Sequence, residues 1–238
     1  MPFTPVLRAE WIKIRTLRSL LGALAAILLA TAAFSALASA SPDAGDKDPL
    51  FSAFFGISFG QIAAIAFGTT AVSSEFRGGA LRLTLAAVPD RRRWFAAKAT
   101  AIALPVLAVG LLTGAVTLLV GRSVLGASGP TWAQGARGAV GCGLQLTLMA
   151  LFAAGLTAVL RSGVATLAVL IPFLLIGSFV IGDMSSGMAD FLPDRAGQVV
   201  LHSTWDGPLG PWSGLAVSAL WTAAALLAAT WTLDRRGA

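Results

Sequence analysis

Ser19 to Ala40 reads SLLGALAAILLATAAFSALASA, a run with no ionisable side chain. A helix needs about 20 mostly apolar residues to cross roughly 30 Å of hydrocarbon, and this run meets that length. Its end, Ala38-Ser39-Ala40, follows a basic amino terminus and is similar to a signal-peptide cleavage site. The apolar run is longer than the roughly 7–15 residues of a signal core, so it reads as a permanent span. Working outward, five more segments qualify: Phe51–Ser74, Trp94–Val120, Ala139–Leu160, Gly163–Gly182 and Trp212–Leu233. The whole chain agrees. Of its 238 residues 56% are hydrophobic and 12% charged, with mean hydropathy +0.81, whereas soluble domains sit near 45–50% and about 25%. The expectation is an all-α polytopic membrane protein with about six spans. No repeat of 20–50 residues is visible and no segment outside the spans could form a soluble domain, so residues 1–238 form one domain.

A net charge of +6 and a pI near 11.0 would suit a nucleic-acid binder if the charge formed one patch. It does not. With the amino terminus inside, 13 of the 17 basic residues fall on the cytoplasmic side: Arg8, Lys13, Arg15, Arg18, Arg77, Arg82, Arg91, Arg92, Arg93, Lys98, Arg161, Arg235 and Arg236. Cytoplasmic loops carry such an excess, so topology explains the basicity and no nucleic-acid partner is expected. Fourteen arginines against three lysines, with abundant Ala and Gly, fit a GC-rich bacterium and hence its plasma membrane.

The spans lack the chemistry that several function classes need. With Lys98 at the cytoplasmic end of the third span, no span core holds Asp, Glu, Lys, Arg or His. Ion-coupled carriers place such groups inside the membrane. One histidine, His202, cannot supply a metalloprotease motif, and it reads as loop surface. The lysines follow Ile12, Asp46 and Ala97, so no Walker-type phosphate loop exists. Catalysis by this chain alone is not expected, and energy for transport would come from a partner. Cys142, the sole cysteine, lies mid-span between Gly141 and Gly143 and reads as a small packing residue. Gln61 and Gln145 are the sizeable polar side chains in the spans. Gly56 with Gly60, and Gly110 with Gly114, are small pairs that permit close helix approach; Pro105 and Pro172 should kink their helices.

Two cytoplasmic segments complete the pattern. Near the amino terminus, Thr4-Pro5 reads as a cap and first helical residue. Leu7, Trp11 and Ile14 then form an apolar stripe flanked by Arg8 and Arg15, and Glu10 pairs with Lys13 at i,i+3. This is a helix lying in the membrane interface. Between spans two and three, Leu81, Leu85 and Val88 share a helical face until Pro89 ends it, and Arg91–Arg93 act as a topology signal. On the other side, Asp183–Pro211 is long and mixed, as expected of a short re-entrant or surface hairpin.

Glu75-Phe76, Gly79-Ala80, Arg82, Leu85, Pro89, Arg91 and Lys98 resemble the loop pattern of ABC-2 type permeases, the transmembrane subunits of type V ABC exporters. Ala80 departs from the family's threonine, removing a hydroxyl there. Glu10-Trp11-Ile12-Lys13-Ile14-Arg15 resembles the family's amino-terminal interfacial helix, and Leu192-Pro193-Asp194-Arg195-Ala196-Gly197 its outer segment before the last span. The resemblance covers most of the chain. It implies a subunit that pairs with a second permease subunit, as homodimer or heterodimer, above two ATPase subunits that carry ATP and Mg²⁺. Glu75, Phe76, Arg77, Gly79, Arg82 and Leu85 would form the coupling helix, and Glu10, Trp11, Lys13 and Arg15 the interfacial helix. The substrate path would follow spans two and five past Gln61. Alternatives are a non-transporting scaffold or immunity-type protein, which would not depend on an ATPase, and a stand-alone facilitator, which would leave the basic loop unexplained.

Overall fold

The computed structural model describes residues 3–41, 48–76, 78, 80–174, 189–205 and 207–235. Among them the chain is all helix, with no strand. The helices are α1 Phe3–Thr16, α2 Arg18–Ser39, α3 Pro49–Phe54, α4 Ile57–Ser73, α5 Ala80–Ala87, α6 Arg91–Leu125, α7 Trp132–Leu160, α8 Gly163–Pro172, α9 Pro193–Gln198 and α10 Pro211–Arg235. Five continuous stretches are long and apolar enough to span a membrane: α2, Pro49–Phe76, Arg91–Ser128, α7 and α10. The protein is an all-α membrane protein. The fifth expected span begins with α8, which is shorter; residues 175–182 lie outside the described residues, as does the 183–188 part of the expected hairpin.

The helices outrun their apolar cores because hydropathy marks hydrocarbon, not helix ends. α6 starts at Arg91, where the Asp90 side chain accepts the Arg93 amide hydrogen at 3.0 Å. α7 starts at Trp132 behind a Thr131–Gln134 capping box. α1 begins at Phe3, a residue ahead of the expected cap, which leaves Pro5 in the first turn where a missing N–H costs little. Pro105 lies within the continuous α6, and Pro172 is the last residue of α8, beyond which Phe173 and Leu174 continue as π-helix.

α7 is the centre of the bundle, packed on α4, α6 and α10, while α2 packs on α4 and α6. Close approach relies on glycine. A Cβ on Gly68 would overlap the Ala150 backbone, and one on Gly114 the Ala139 backbone. Gly56 and Gly60 face Thr31 and Ser35 of α2, and Gly110 faces Gly143. Both small-residue pairs therefore act where the spacing suggested, and Cys142 is fully buried beside them. The peripheral α2 and α10 point Leu21, Leu29, Leu37, Leu220, Leu227 and Trp231 outward, as helices in lipid do.

Helix α1 and the last turn of α10 lie at one end of the bundle, called here the terminal end. There the Arg91 guanidinium donates to the Leu233 carbonyl, and Arg92 Nε lies 2.8 Å from Asp234 Oδ2. Cations at a helix carboxyl end satisfy its last carbonyls and complement its dipole. The arginines expected as a topology signal thus also hold the end of α10. At the opposite end Asp48 caps α3 and gathers Ser203, at 2.7 Å from its hydroxyl, and His202, at 2.9 Å from Nδ1.

Candidate functional site

The terminal end contains a closed ring of charges. α1 supplies Glu10 and Lys13, the turn after α4 supplies Glu75, and α6 supplies Lys98 one turn beyond Trp94. Lys98 Nζ lies 2.6 Å from Glu10 Oε2 and 2.7 Å from Glu75 Oε1. Lys13 Nζ lies 2.9 Å from Glu10 Oε1 and 2.8 Å from Glu75 Oε1. Trp94 Nε1 donates to Glu10 Oε1 at 3.2 Å, and the Thr84 hydroxyl of α5 donates to Glu75 Oε2 at 3.4 Å. Two acids and two amines cancel. Glu10, Glu75 and Lys98 are each at most 3% exposed, and carboxylates and amines so far from water persist only when paired and hydrogen-bonded. Lys13 is the member in reach of solvent. Burial lowers its pKa, but Glu75 and Glu10 outweigh this and raise it above 10.5.

This ring turns α1 relative to the expected stripe. The buried residues are Val6, Glu10 and Ile14, with Leu7 and Trp11 half-buried and Arg15 exposed. The Glu10–Lys13 pair holds as expected, but its acid points into the protein because Lys98 and Trp94 await it there. Lys98 sits at the terminal end of its helix as expected, yet buried and paired.

α5 lies over the ring with the expected face inward: Leu81 and Val88 are buried, and Leu85 and Phe76 are half-buried against the core. Leu83 is 76% exposed and, with Thr84, also lines the cavity beside the ring. Arg77 and Gly79 lie outside the described residues, as does the Arg82 side chain. A cavity of about 340 Å³ opens beneath α5 between Ile14, Leu17, Leu20 and Ala71, with Lys13, Glu75 and Lys98 on its floor.

Gln61 lies at the other end of α4, buried, in a cavity of about 520 Å³. Gln198 Nε2 approaches its Oε1 at 3.5 Å. The helix that brings Gln198 there is α9, whose Pro193, Asp194, Ala196 and Gly197 are buried. α9 enters the bundle, as a re-entrant element would, because Gln145 of α7 donates to the Pro193 carbonyl at 3.1 Å and Ser218 of α10 donates to the same carbonyl at 2.6 Å. Gln145 therefore serves packing. His202 lies in the loop after α9 with its side chain 36% exposed, and it also stacks on Phe51 with centroids 4.3 Å apart and bonds Asp48. Sequence reasoning did not join Lys98 and Trp94 to Glu10, although a sole cation within an apolar span is a signal for a buried partner.

No family model and no curated protein matches this chain. Among the described residues no group of His, Cys, Asp or Glu side chains is arranged to hold a metal ion.

Proposed function

We propose that this chain is the membrane-spanning permease subunit of an ATP-driven exporter, energised by a separate ATPase that docks on α5. It resides in the plasma membrane with both termini cytoplasmic, paired with a second permease subunit. The observation that carries this reading is the tie from α5 through Thr84 and Glu75 to Lys98 and α1. A force on this short surface helix reaches α4, α6 and α1 together through Thr84 and the mutually paired, buried Glu75, Lys98 and Glu10. Closure of a docked partner would then move these elements as one body. The exposed Leu83 gives the partner an apolar contact, and the absence of any Walker-type lysine motif from the chain leaves ATP to that partner.

Purification from native membranes tests the reading. The expected result is co-purification of an ATPase bearing a Walker-type loop, with ATP hydrolysis by the complex. Leu83→Asp, at an exposed position of α5, should abolish the association while leaving the permease folded. A wild-type protein that carries no ATPase, or a Leu83→Asp variant that binds it equally well, would contradict the reading.

A further inference from the structure

Gln61 lines its cavity with an amide that the protein leaves half engaged. The side chain is 4% exposed, and its Oε1 meets Gln198 Nε2 only at 3.5 Å, the far limit of a hydrogen bond. Its two Nε2 hydrogens donate to no atom among the described residues. A buried donor without a partner carries a desolvation cost. Gln145, the other span glutamine, escapes it by donating to the Pro193 carbonyl. The cavity of Gln61 is also walled by rings: Phe51, Phe55 and Phe59 recur every four residues, with centroids 5.8 and 6.2 Å apart along the series. Asp194 and Arg195, on the same lining, are already engaged within the protein, so recognition falls to the amide and the rings.

We infer that this cavity binds an aromatic carbonyl compound, its rings against Phe51, Phe55 and Phe59 and its carbonyl oxygen accepting from Gln61 Nε2. The oxygen supplies the partner that the amide lacks. Aromatic rings gain from offset or edge-to-face contact beyond the area they bury, so the ladder favours a ring system over a saturated acyl chain, which gains area alone. A plain aromatic hydrocarbon would fill the space and leave the buried donor unmatched, the deficit by which a hydrogen-bonding site rejects an analogue. At about 520 Å³ the space lies within the range of drug-sized sites. As a transported class the inference rests on the exporter reading; as a binding site it stands without an ATPase.

The test uses the full chain in nanodiscs, with radiolabelled anthraquinone and anthracene, three-ring compounds that differ in their carbonyls, each corrected against empty nanodiscs. Saturable binding is expected, about tenfold tighter for anthraquinone. Gln61→Leu should bring the two affinities level by weakening anthraquinone alone. Phe55→Leu, which keeps an apolar side chain and removes a ring, should weaken both by about fivefold. As a second readout, Ser58→Cys, on the cavity lining, in a Cys142→Ala background should be shielded from maleimide by anthraquinone at concentrations where anthracene has no effect. No saturable binding above empty nanodiscs, equal binding of the two compounds, a preference that survives in folded Gln61→Leu, or no shielding at position 58 would overturn the inference. Preferential anthraquinone binding in a protein that recruits no ATPase would uphold the site while removing the exporter reading.

Discussion

Lys98 and Glu10 are 88 residues apart in the chain, yet their charged atoms lie 2.6 Å apart and both side chains are at most 3% exposed. Their contact fastens the amino-terminal helix to the start of α6. Glu75, on the same ammonium, brings in the end of α4 and the short helix above it. What would otherwise be three separate interfacial pieces becomes one unit.

Removing the shared ammonium should therefore be severe. Lys98→Met leaves Glu10 and Glu75 buried around a single half-exposed lysine, and breaking a buried pair in this way costs about 3–5 kcal/mol. A large fall in melting temperature is expected in detergent. Arg15→Ala, on the exposed side of α1, should leave the melt unchanged.

Much of this arrangement was legible in the sequence, but in pieces. The apolar runs located the spans, and the i,i+3 spacing of Glu10 and Lys13 paired them correctly. The spacing of Leu81, Leu85 and Val88 named the inward face of α5. Periodicity defines a face only relative to its own helix, so it could not show that Glu10 rather than Trp11 turns inward. That depends on Lys98 and Trp94, which no local spacing connects to α1. The rim opposite the terminal end was hidden for the same reason: Asp48 meets His202 and Ser203 across more than 150 residues.

The glycine contacts separate two kinds of position. At Gly68 an added methyl would meet the Ala150 backbone, which cannot swing aside, whereas at Gly22 it would meet nothing within 4 Å. Gly68→Ala should destabilise by about 1–3 kcal/mol through overpacking. Gly22→Ala, on an outward helix face, should be neutral or stabilising by up to about 1 kcal/mol. Thermal melts of the two variants check the contrast.

Asp48 gives the opposite rim an acid-side limit. Burial pushes its carboxyl upward, but His202, the Phe51 amide and Ser203 outweigh burial and hold it at about 2, below the usual 3.8. A carboxyl depressed in the folded state contributes stability above its unfolded pKa and loses it as pH falls through the folded value. Between pH 3.8 and 2 the wild type should lose more melting temperature than Asp48→Asn. Lys13 behaves oppositely: its raised pKa contributes stability below 10.5 that fades as pH climbs past that value.

Arg91 holds the last turn of α10 through the Leu233 carbonyl. Arg91→Ala should speed hydrogen exchange over residues 229–235 while leaving exchange in α7 unchanged. The cost is about 1 kcal/mol, as for one partly exposed charge-assisted hydrogen bond. Mass-resolved exchange of the intact protein reads this directly.

The most direct test of the account is a cross-link from α5. Cys142 is the sole cysteine and fully buried, so Leu83→Cys in a Cys142→Ala background offers one accessible thiol. After reaction with a heterobifunctional maleimide cross-linker in native membranes, the account predicts an adduct between this chain and an ATPase bearing a Walker-type loop, its yield altered by a non-hydrolysable ATP analogue. A thiol that reacts freely with a small maleimide yet forms no ATPase adduct would contradict it.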